Sequence, residues 1–116
     1  MAQKFILAVR ERDMDGYVAE FRLGNVCYHS DLRRGSDKGV AGGGFWEFDE
    51  DKKTLTLDNE SADFGVPSWD FLKTLILPIE LKDYTITYKY PRYMPYADMD
   101  DVEVSKLDCV KYEDID

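Results

Sequence analysis

An Asp-Gly pair at residues 15 and 16 separates two apolar segments, and this arrangement constrains the fold more than any other feature of the chain. The first segment, KFILAV (4–9), is apolar on both faces, which predicts a buried central strand. The second, YVAEFRL (17–23), alternates apolar and polar residues as a returning strand does. Asp-Gly is a preferred sequence of tight hairpin turns. The N-terminal part of the chain is therefore predicted to be an antiparallel hairpin.

The segment after this hairpin is predicted to contain a break, a long loop and a second hairpin. Gly24-Asn25 is predicted to break or bulge the second strand before the short apolar run VCYH (26–29). Residues 30–44 are polar and glycine-rich, and they are predicted to form a loop with one helical turn. The segments FWEF (45–48) and TLTL (54–57) alternate on either side of a charged turn, which predicts a hairpin.

One helix and one further strand complete the predicted core. The apolar periodicity of SWDFLKTLIL predicts a helix over residues 68–76, which Pro78 ends. YTITYKY (84–90) alternates strictly and is rich in strand-forming residues, so it predicts the clearest strand of the chain. The predicted fold class is α+β, with a single mixed or mostly antiparallel sheet of about five to six strands and one main helix.

The length of 116 residues predicts a single domain over residues 1–116. Residues 1–90 are predicted to form the core sheet and helix. Residues 91–116 are acidic and irregular, and they are expected to be a loosely attached C-terminal extension with short edge strands at 102–104 and 107–112.

The charge and the cysteine content exclude several function classes. At a formal net charge of −9 the protein repels phosphate backbones and anionic lipid, so neither nucleic acid nor a membrane surface is an expected partner. The two cysteines lack the spacing of a disulfide framework or a zinc site. No segment approaches the length of a membrane span. We expect a cytoplasmic protein without a metal or another cofactor.

The chain has one histidine, His29, which ends the VCYH run, and three consecutive glycines, Gly42, Gly43 and Gly44, follow it. Histidine is the default candidate for proton transfer near neutral pH. Glycines allow backbone N–H groups to approach an anion closely. Together they predict a phosphate cradle that contains a base. A structural histidine beside a glycine bulge or a flexible loop remains the alternative, since the glycines match neither the P-loop nor the dinucleotide fingerprint.

Two other groups of residues carry weaker signals. Cys27 lies two residues before His29, on the same face of a strand, but a buried structural cysteine is the favoured interpretation. The acidic run at residues 98–103 resembles a calcium loop in composition only, because it lacks the glycine and the terminal glutamate of an EF-hand. A solvated acidic surface is the favoured interpretation there.

Taken in order, the segments resemble the small protein phosphohistidine phosphatase family, also called the Janus or Ocnus family. The resemblance covers residues 4–90, and it rests on the order and spacing of short motifs. These motifs are KFILAV opened by Lys4, YHSDL (28–32), GGGFWEFDEDKKTLTL (42–57) and SADFG (61–65), with YTITYKY in the place of the family's last core strand.

The resemblance implies a Janus-like fold and a metal-independent activity on a phosphoryl group carried by a protein side chain. It implies that His29 is the catalytic base or nucleophile, held by a backbone carbonyl of the turn formed by Gly42, Gly43 and Gly44. The phosphate site that it implies comprises the Lys4 ammonium, the backbone amides of Tyr28, His29 and Ser30, the Ser61 hydroxyl and the Asp63 amide.

Two departures from the family pattern keep a second hypothesis open. Phe45 stands where the resemblance leads us to expect a basic residue, and the segment before the glycines is shorter than in the family. Phosphoryl transfer relies on positioned cations, so Arg33, Arg34 or Lys38 would have to substitute. The alternative is a non-catalytic acidic interaction protein on a related or unrelated α+β scaffold, in which residues 98–116 or a sheet edge bind a basic protein partner.

Overall fold

A single eight-stranded sheet, curled into a half-barrel, forms the framework of the molecule. The structure is a computed structural model, and it describes residues 2–12, 16–72 and 74–114. The strands in chain order are β1 (Ala2–Arg12), β2 (Gly16–Val26), β3 (Gly39–Asp49), β4 (Thr54–Asp58), β5 (Leu75–Pro78), β6 (Thr85–Lys89), β7 (Val102–Glu103) and β8 (Lys111–Glu113). Across the sheet they lie in the order β7-β6-β4-β3-β1-β2-β5-β8.

The predicted N-terminal hairpin is confirmed, since β1 and β2 pair antiparallel throughout. Gly16 begins β2 with a positive φ of 71°, and Asp15, the other residue of the predicted turn, lies outside the described residues. The predicted break at Gly24-Asn25 is wrong. Both of these residues pair with β1, so the strand ladder continues to the end of β2. Phe5 to Ala8 on β1 are fully buried, as a central strand requires.

The predicted loop over residues 30–44 is wrong in its second half, because β3 begins at Gly39. β3 pairs antiparallel with β1, and a register shift opposite Ile6 to Ala8 marks a β-bulge. A central strand needs a partner on both edges, and β3 is the second partner of β1. β3 then pairs antiparallel with β4 from Phe45 to Asp49, which confirms the second predicted hairpin.

The predicted α+β class, with about five to six strands and one main helix, is wrong. The predicted helix over residues 68–76 is a single helical turn, α1 (Trp69–Leu72), followed by strand β5. β5 lies parallel to β2, whose main-chain groups would otherwise form an exposed edge. All three residues from Leu75 to Leu77 are buried, and such a short apolar run is compatible with either a buried strand or a helix. None of the described helices has the length and apolar character needed to cross a membrane.

The segment after Tyr90 is part of the sheet rather than a loosely attached extension. β7 pairs antiparallel with β6 at one edge, and β8 pairs parallel with β5 at the other. The edge strands predicted at residues 102–104 and 107–112 correspond to β7 and β8 with shifted bounds. Val104 follows β7 and is fully buried. Removing this segment would therefore unpair both edges of the sheet.

The two faces of the sheet bury different kinds of residue. The core face carries Phe5, Leu7 and Phe21, which pack in one cluster with the apolar side chains of β4, β5 and β6. The opposite face carries alternate residues such as Ile6 and Arg22, and the segment between β2 and β3 covers it. His29 lies in that covering segment, so the candidate site belongs to the opposite face.

Candidate functional site

His29 follows β2 as the first residue of a short 3-10 turn, His29–Leu32, so the strand predicted over residues 26–29 ends early. Asp31 forms the turn. Its carboxylate accepts the backbone N–H of Tyr28 at 2.9 Å, and its own N–H donates to the Tyr28 carbonyl at 3.0 Å. The Tyr28 side chain is 65% exposed, whereas the His29 side chain packs back onto the sheet and His29 is only 5% exposed.

One hydrogen bond determines the tautomer of the His29 ring. Nε2 lies 2.7 Å from the carbonyl oxygen of Gly44. A carbonyl only accepts, so Nε2 carries the proton and Nδ1 keeps its lone pair when the ring is neutral. Nδ1 makes no hydrogen bond to any described residue. Every fully buried side-chain nitrogen or oxygen in the described part of the chain has a partner, so Nδ1, which has none, is not completely buried.

The surroundings of the ring lower the pKa of His29 below its ordinary value. Burial is the largest cause, because it disfavours the charged imidazolium. The hydrogen bond to Gly44 and the negative charge of Asp63 act in the opposite direction, and the positive charge of Lys4 adds to the lowering. The ring is therefore neutral at pH 7, with an unprotonated nitrogen that can accept a proton or attack an electrophile.

Lys4 and Phe45 flank the histidine on the same face of the sheet. They are register partners on β1 and β3, and the Lys4 Nζ lies 6.0 Å from the centroid of the Phe45 ring. The Phe45 ring also meets the His29 ring edge-on, with 5.3 Å between centroids and an interplanar angle of 83°. Lys4 Nζ donates a hydrogen bond to the carbonyl of Cys27. On the sheet, the His29 ring thus has one cation and one apolar ring beside it.

The three glycines allow close approach on β3 rather than forming the predicted turn. Gly42 lies within the bulge and has a φ of 111°, which side chains rarely tolerate. A Cβ atom at Gly43 would lie 2.4 Å from the carbonyl oxygen of Phe5, and one at Gly44 would lie 2.3 Å from that of Asp58. Any larger residue would therefore push the neighbouring backbone away and shift the carbonyl that holds the histidine ring.

The segment from Ser61 to Gly65 docks on the same glycines. The Ser61 N–H donates to the Gly43 carbonyl at 3.1 Å, and the Gly43 N–H donates to the Gly65 carbonyl at 3.1 Å. The Ser61 hydroxyl accepts the N–H groups of Asp63 and Phe64 at 3.2 and 3.1 Å. Ser61 is 1% exposed, so its hydroxyl shapes the loop and holds Asp63 near the histidine.

Most of the residues implied by the family resemblance come together in the structure, and the implied hydrogen bond from the His29 ring to a glycine carbonyl is present. Two implied amide donors are already engaged, since the amide of Tyr28 donates to Asp31 and that of Asp63 to Ser61. The amides of His29 and Ser30 begin the 3-10 turn and have no acceptor within it. The residues brought together on this face are Lys4, His29, Gly42, Gly43, Gly44, Phe45, Ser61 and Asp63.

The basic residues that could have replaced the missing cation lie elsewhere. The charges that act on the His29 ring are those of Lys4 and Asp63. Arg34 lies 3.6 Å from the Glu20 carboxylate, Arg33 lines a separate cavity, and Lys38 is exposed. Among the described residues, Lys4 is the cation whose charge acts on the His29 ring.

A buried ion-pair network, which the sequence did not predict, holds the covering segment in place. Arg22 donates to both oxygens of Asp37 at 2.6 and 2.7 Å, to Glu20 at 2.9 Å and to the carbonyl of Leu32 at 3.2 Å. Leu32 ends the turn that begins with His29, so Arg22 fixes that turn from below. Glu20 and Arg22 alternate with apolar residues on β2. This pattern is typical of a strand with one solvated face, so the sequence does not indicate that both side chains are buried.

Searches with the chain found no matching family model, no matching curated protein and no matching solved structure. The site must therefore be judged by its own chemistry. It offers a neutral imidazole of fixed tautomer, one ammonium group and the first amides of a short turn.

Proposed function

We propose that the protein binds a phosphoryl group on a protein side chain at His29 and hydrolyses it without a metal, as a divergent phosphohistidine phosphatase. The observation that carries the proposal is the hydrogen bond between His29 Nε2 and the Gly44 carbonyl. It leaves Nδ1 with a lone pair that can act as the base, and Lys4 supplies a positive charge for the phosphoryl oxygens. The interpretation of Cys27 as a buried cysteine is wrong, because Cys27 and Cys109 are both exposed free thiols. Exposed free thiols suit the reducing cytoplasm that we propose as the compartment.

The charge of the site favours a phosphoramidate over a phosphoester. Phosphoryl transfer depends mainly on positioned cations and donors around the phosphoryl oxygens. Here Lys4 is opposed by Asp63, and Phe45 adds an apolar ring. A P–N bond is more labile than a P–O ester bond, so it needs less charge stabilisation. In the proposed step a water oxygen attacks phosphorus while Nδ1 accepts a water proton, and the P–N bond breaks as its nitrogen takes a proton from solvent.

The test is the hydrolysis of a phosphohistidine peptide in the presence of a chelator. We expect His29→Ala to lower the rate by about 10²-fold or more through loss of the general base. Lys4→Gln should also slow hydrolysis, whereas Lys52→Gln, the same change in the exposed turn of the second hairpin, should not. A phosphoserine peptide should react far more slowly than the phosphohistidine peptide.

A titration with orthophosphate separates binding from catalysis. If the site exists, the resonances of His29 and of the Gly43 and Gly44 amides should shift. Shifts without turnover by the wild type would reject hydrolysis and leave a phosphoryl-binding protein, and Phe45→Arg would then be the variant designed to restore activity. The absence of both shifts and turnover would show that His29 is a structural histidine.

A non-catalytic role is favoured by one observation, which is that Phe45 packs against His29 where the resemblance leads us to expect a cation. In that case the acidic C-terminal segment would bind a basic protein partner. Because this segment carries both edge strands, the test uses Asp98→Asn with Asp100→Asn rather than a truncation. The double variant should weaken binding of a lysine-rich probe peptide, and added salt should weaken it steeply in the wild type.

A further inference from the structure

A cavity of about 520 Å³ lies between β2, β3, the turn Ile79–Leu81 and residues 31–34, which continue the chain from His29. His29 itself does not line it. This volume falls within the range of about 300–1,000 Å³ that is usual for small-molecule sites. Several of its apolar walls are only partly buried, although they adjoin the core. The apolar lining residues are Phe21, Leu23, Leu32, Phe48, Pro78 and Leu81.

Arginines line the cavity on the side of the covering segment. Arg22 is held by Asp37 and Glu20, and Arg34 lies 3.6 Å from Glu20. Arg33 is exposed, and its guanidinium forms no ion pair with any described residue. A chain with 24 acidic and 15 basic residues thus keeps an uncommitted cation beside an apolar cavity.

Two carboxylates line the same cavity, and they limit what it can hold. Asp31 already accepts the backbone N–H of Tyr28 at 2.9 Å. Glu80 is exposed and lies on the turn Ile79–Leu81, whereas Arg33 follows the turn that begins with His29. Arg33 can therefore pair with a single negative charge, whereas the two carboxylates that line the same cavity disfavour a multiply charged anion.

We propose that this cavity binds a small amphiphilic monoanion, namely an aliphatic chain that ends in a carboxylate. The chain packs against the apolar walls between Phe21 and Phe48, and the carboxylate pairs with the Arg33 guanidinium. Arginine suits this role because its planar fork can bind both carboxylate oxygens. The proposal is independent of the phosphoryl chemistry at His29.

Calorimetric titration with hexanoate, octanoate and decanoate tests the apolar part of the proposal. Each buried CH₂ group is worth about 0.8 kcal/mol, so the affinity should rise roughly fourfold per added CH₂. Amide shifts should concentrate at Leu23, Phe48 and Leu81, and the amide of Gly43 should not move. Affinity that is independent of chain length, or shifts spread evenly over the sheet, would overturn the proposal.

The charge of the ligand is tested with decanol, decylamine and one variant. Decanoate should bind more tightly than decanol, which is neutral, and more tightly than decylamine, which is cationic. Arg33→Gln should weaken decanoate binding about tenfold, the scale of one charge-assisted hydrogen bond, and leave decanol unaffected. Lys38→Gln removes the same charge from the same segment outside the cavity and should have little effect. Equal losses in the two variants, or tighter binding of decylamine, would refute the role of Arg33.

Discussion

Replacing Asp37 with asparagine removes a charge from a buried ion pair while leaving the shape of the side chain almost unchanged. The Arg22 and Asp37 side chains are 6% and 0% exposed and share two hydrogen bonds of 2.6 and 2.7 Å. Removing one partner of a buried pair costs about 3–5 kcal/mol, because the other charge stays buried without compensation. Glu20 also binds Arg22, at 2.9 Å, and offsets part of that loss. We therefore expect Asp37→Asn to lower the free energy of unfolding by about 3 kcal/mol.

Urea unfolding followed by fluorescence measures this change, and an exposed pair supplies the control. Arg92 and Asp101 approach to 2.6 Å, but their side chains are 55% and 39% exposed. Asp101→Asn should therefore cost no more than about 1 kcal/mol, with the same dependence on denaturant as the wild type. If Asp37→Asn cost as little as Asp101→Asn, the covering segment would not depend on the buried pair, and this reasoning would fail.

The pH dependence of the loss identifies its origin. Burial alone would raise the pKa of Asp37, but the hydrogen bonds from Arg22 and from the Arg34 amide, with the charge of Arg22, outweigh burial and lower it. A carboxyl group whose folded pKa is depressed stabilises the fold fully above its unfolded pKa, about 3.9, and loses that effect as the pH falls through the folded value. The difference between wild type and Asp37→Asn should stay constant from pH 8 to about pH 5 and shrink in more acidic solution.

Two further predictions concern the histidine and the glycine beside it. An NMR titration should place the pKa of His29 below its ordinary value. Lys4→Gln should raise this pKa, whereas Asp63→Asn should lower it. Changes of the opposite sign would contradict the charges assigned to the surroundings of the ring. Gly43→Ala should destabilise the fold by about 1–3 kcal/mol, because its Cβ would lie 2.4 Å from a main-chain carbonyl oxygen of β1. Urea unfolding measures this change. Gly35→Ala is the control and should have little effect, because the space around Gly35 is open.

The parts of the fold that were predicted correctly from the sequence are those that depend on neighbouring residues. The first hairpin follows from turn chemistry around Gly16, and the second follows from alternation on both sides of a short charged turn. The strand β6 follows from strict alternation in YTITYKY. Each of these signals lies within a window of a few residues, and distant contacts did not override it.

The errors in the predicted fold come from partners that are distant in sequence. The composition of the run from Leu75 to Leu77 is compatible with either a helix or a strand. The run forms a strand because it pairs with the open edge of β2, which lies more than fifty residues earlier in the sequence. The intrinsic preference of the β3 glycines favours a loop. They nevertheless lie in the sheet, because β1 needs a strand partner on its second edge and β3 pairs there through a bulge. Edge pairing by β7 and β8 likewise depends on strands formed by earlier segments.

The candidate site was predictable only in outline. The family resemblance implied that His29 and the glycines would meet, and the hydrogen bond to Gly44 spans fifteen residues of sequence. The sequence did not predict that the Asp31 carboxylate accepts the Tyr28 N–H. A side chain three residues further along the chain thereby occupies a donor that a phosphate would otherwise use. The edge-on packing of Phe45 depends on the register of β1 and β3, which single-strand patterns do not specify.

In the proposed hydrolysis, the missing cation at Phe45 has a direct consequence for proton transfer. A second cation beside His29 would lower the pKa of the ring further, as Lys4 already does, and would disfavour the imidazolium that forms when Nδ1 accepts a water proton. With an apolar ring at that position, the negative charges of the bound phosphoryl group and of Asp63 both favour the imidazolium. The ring can then release this proton to solvent, which protonates the leaving nitrogen on the far side of phosphorus. Such a site is weak in stabilising phosphoryl oxygens but well suited to moving a proton, which is the balance that a labile P–N bond requires.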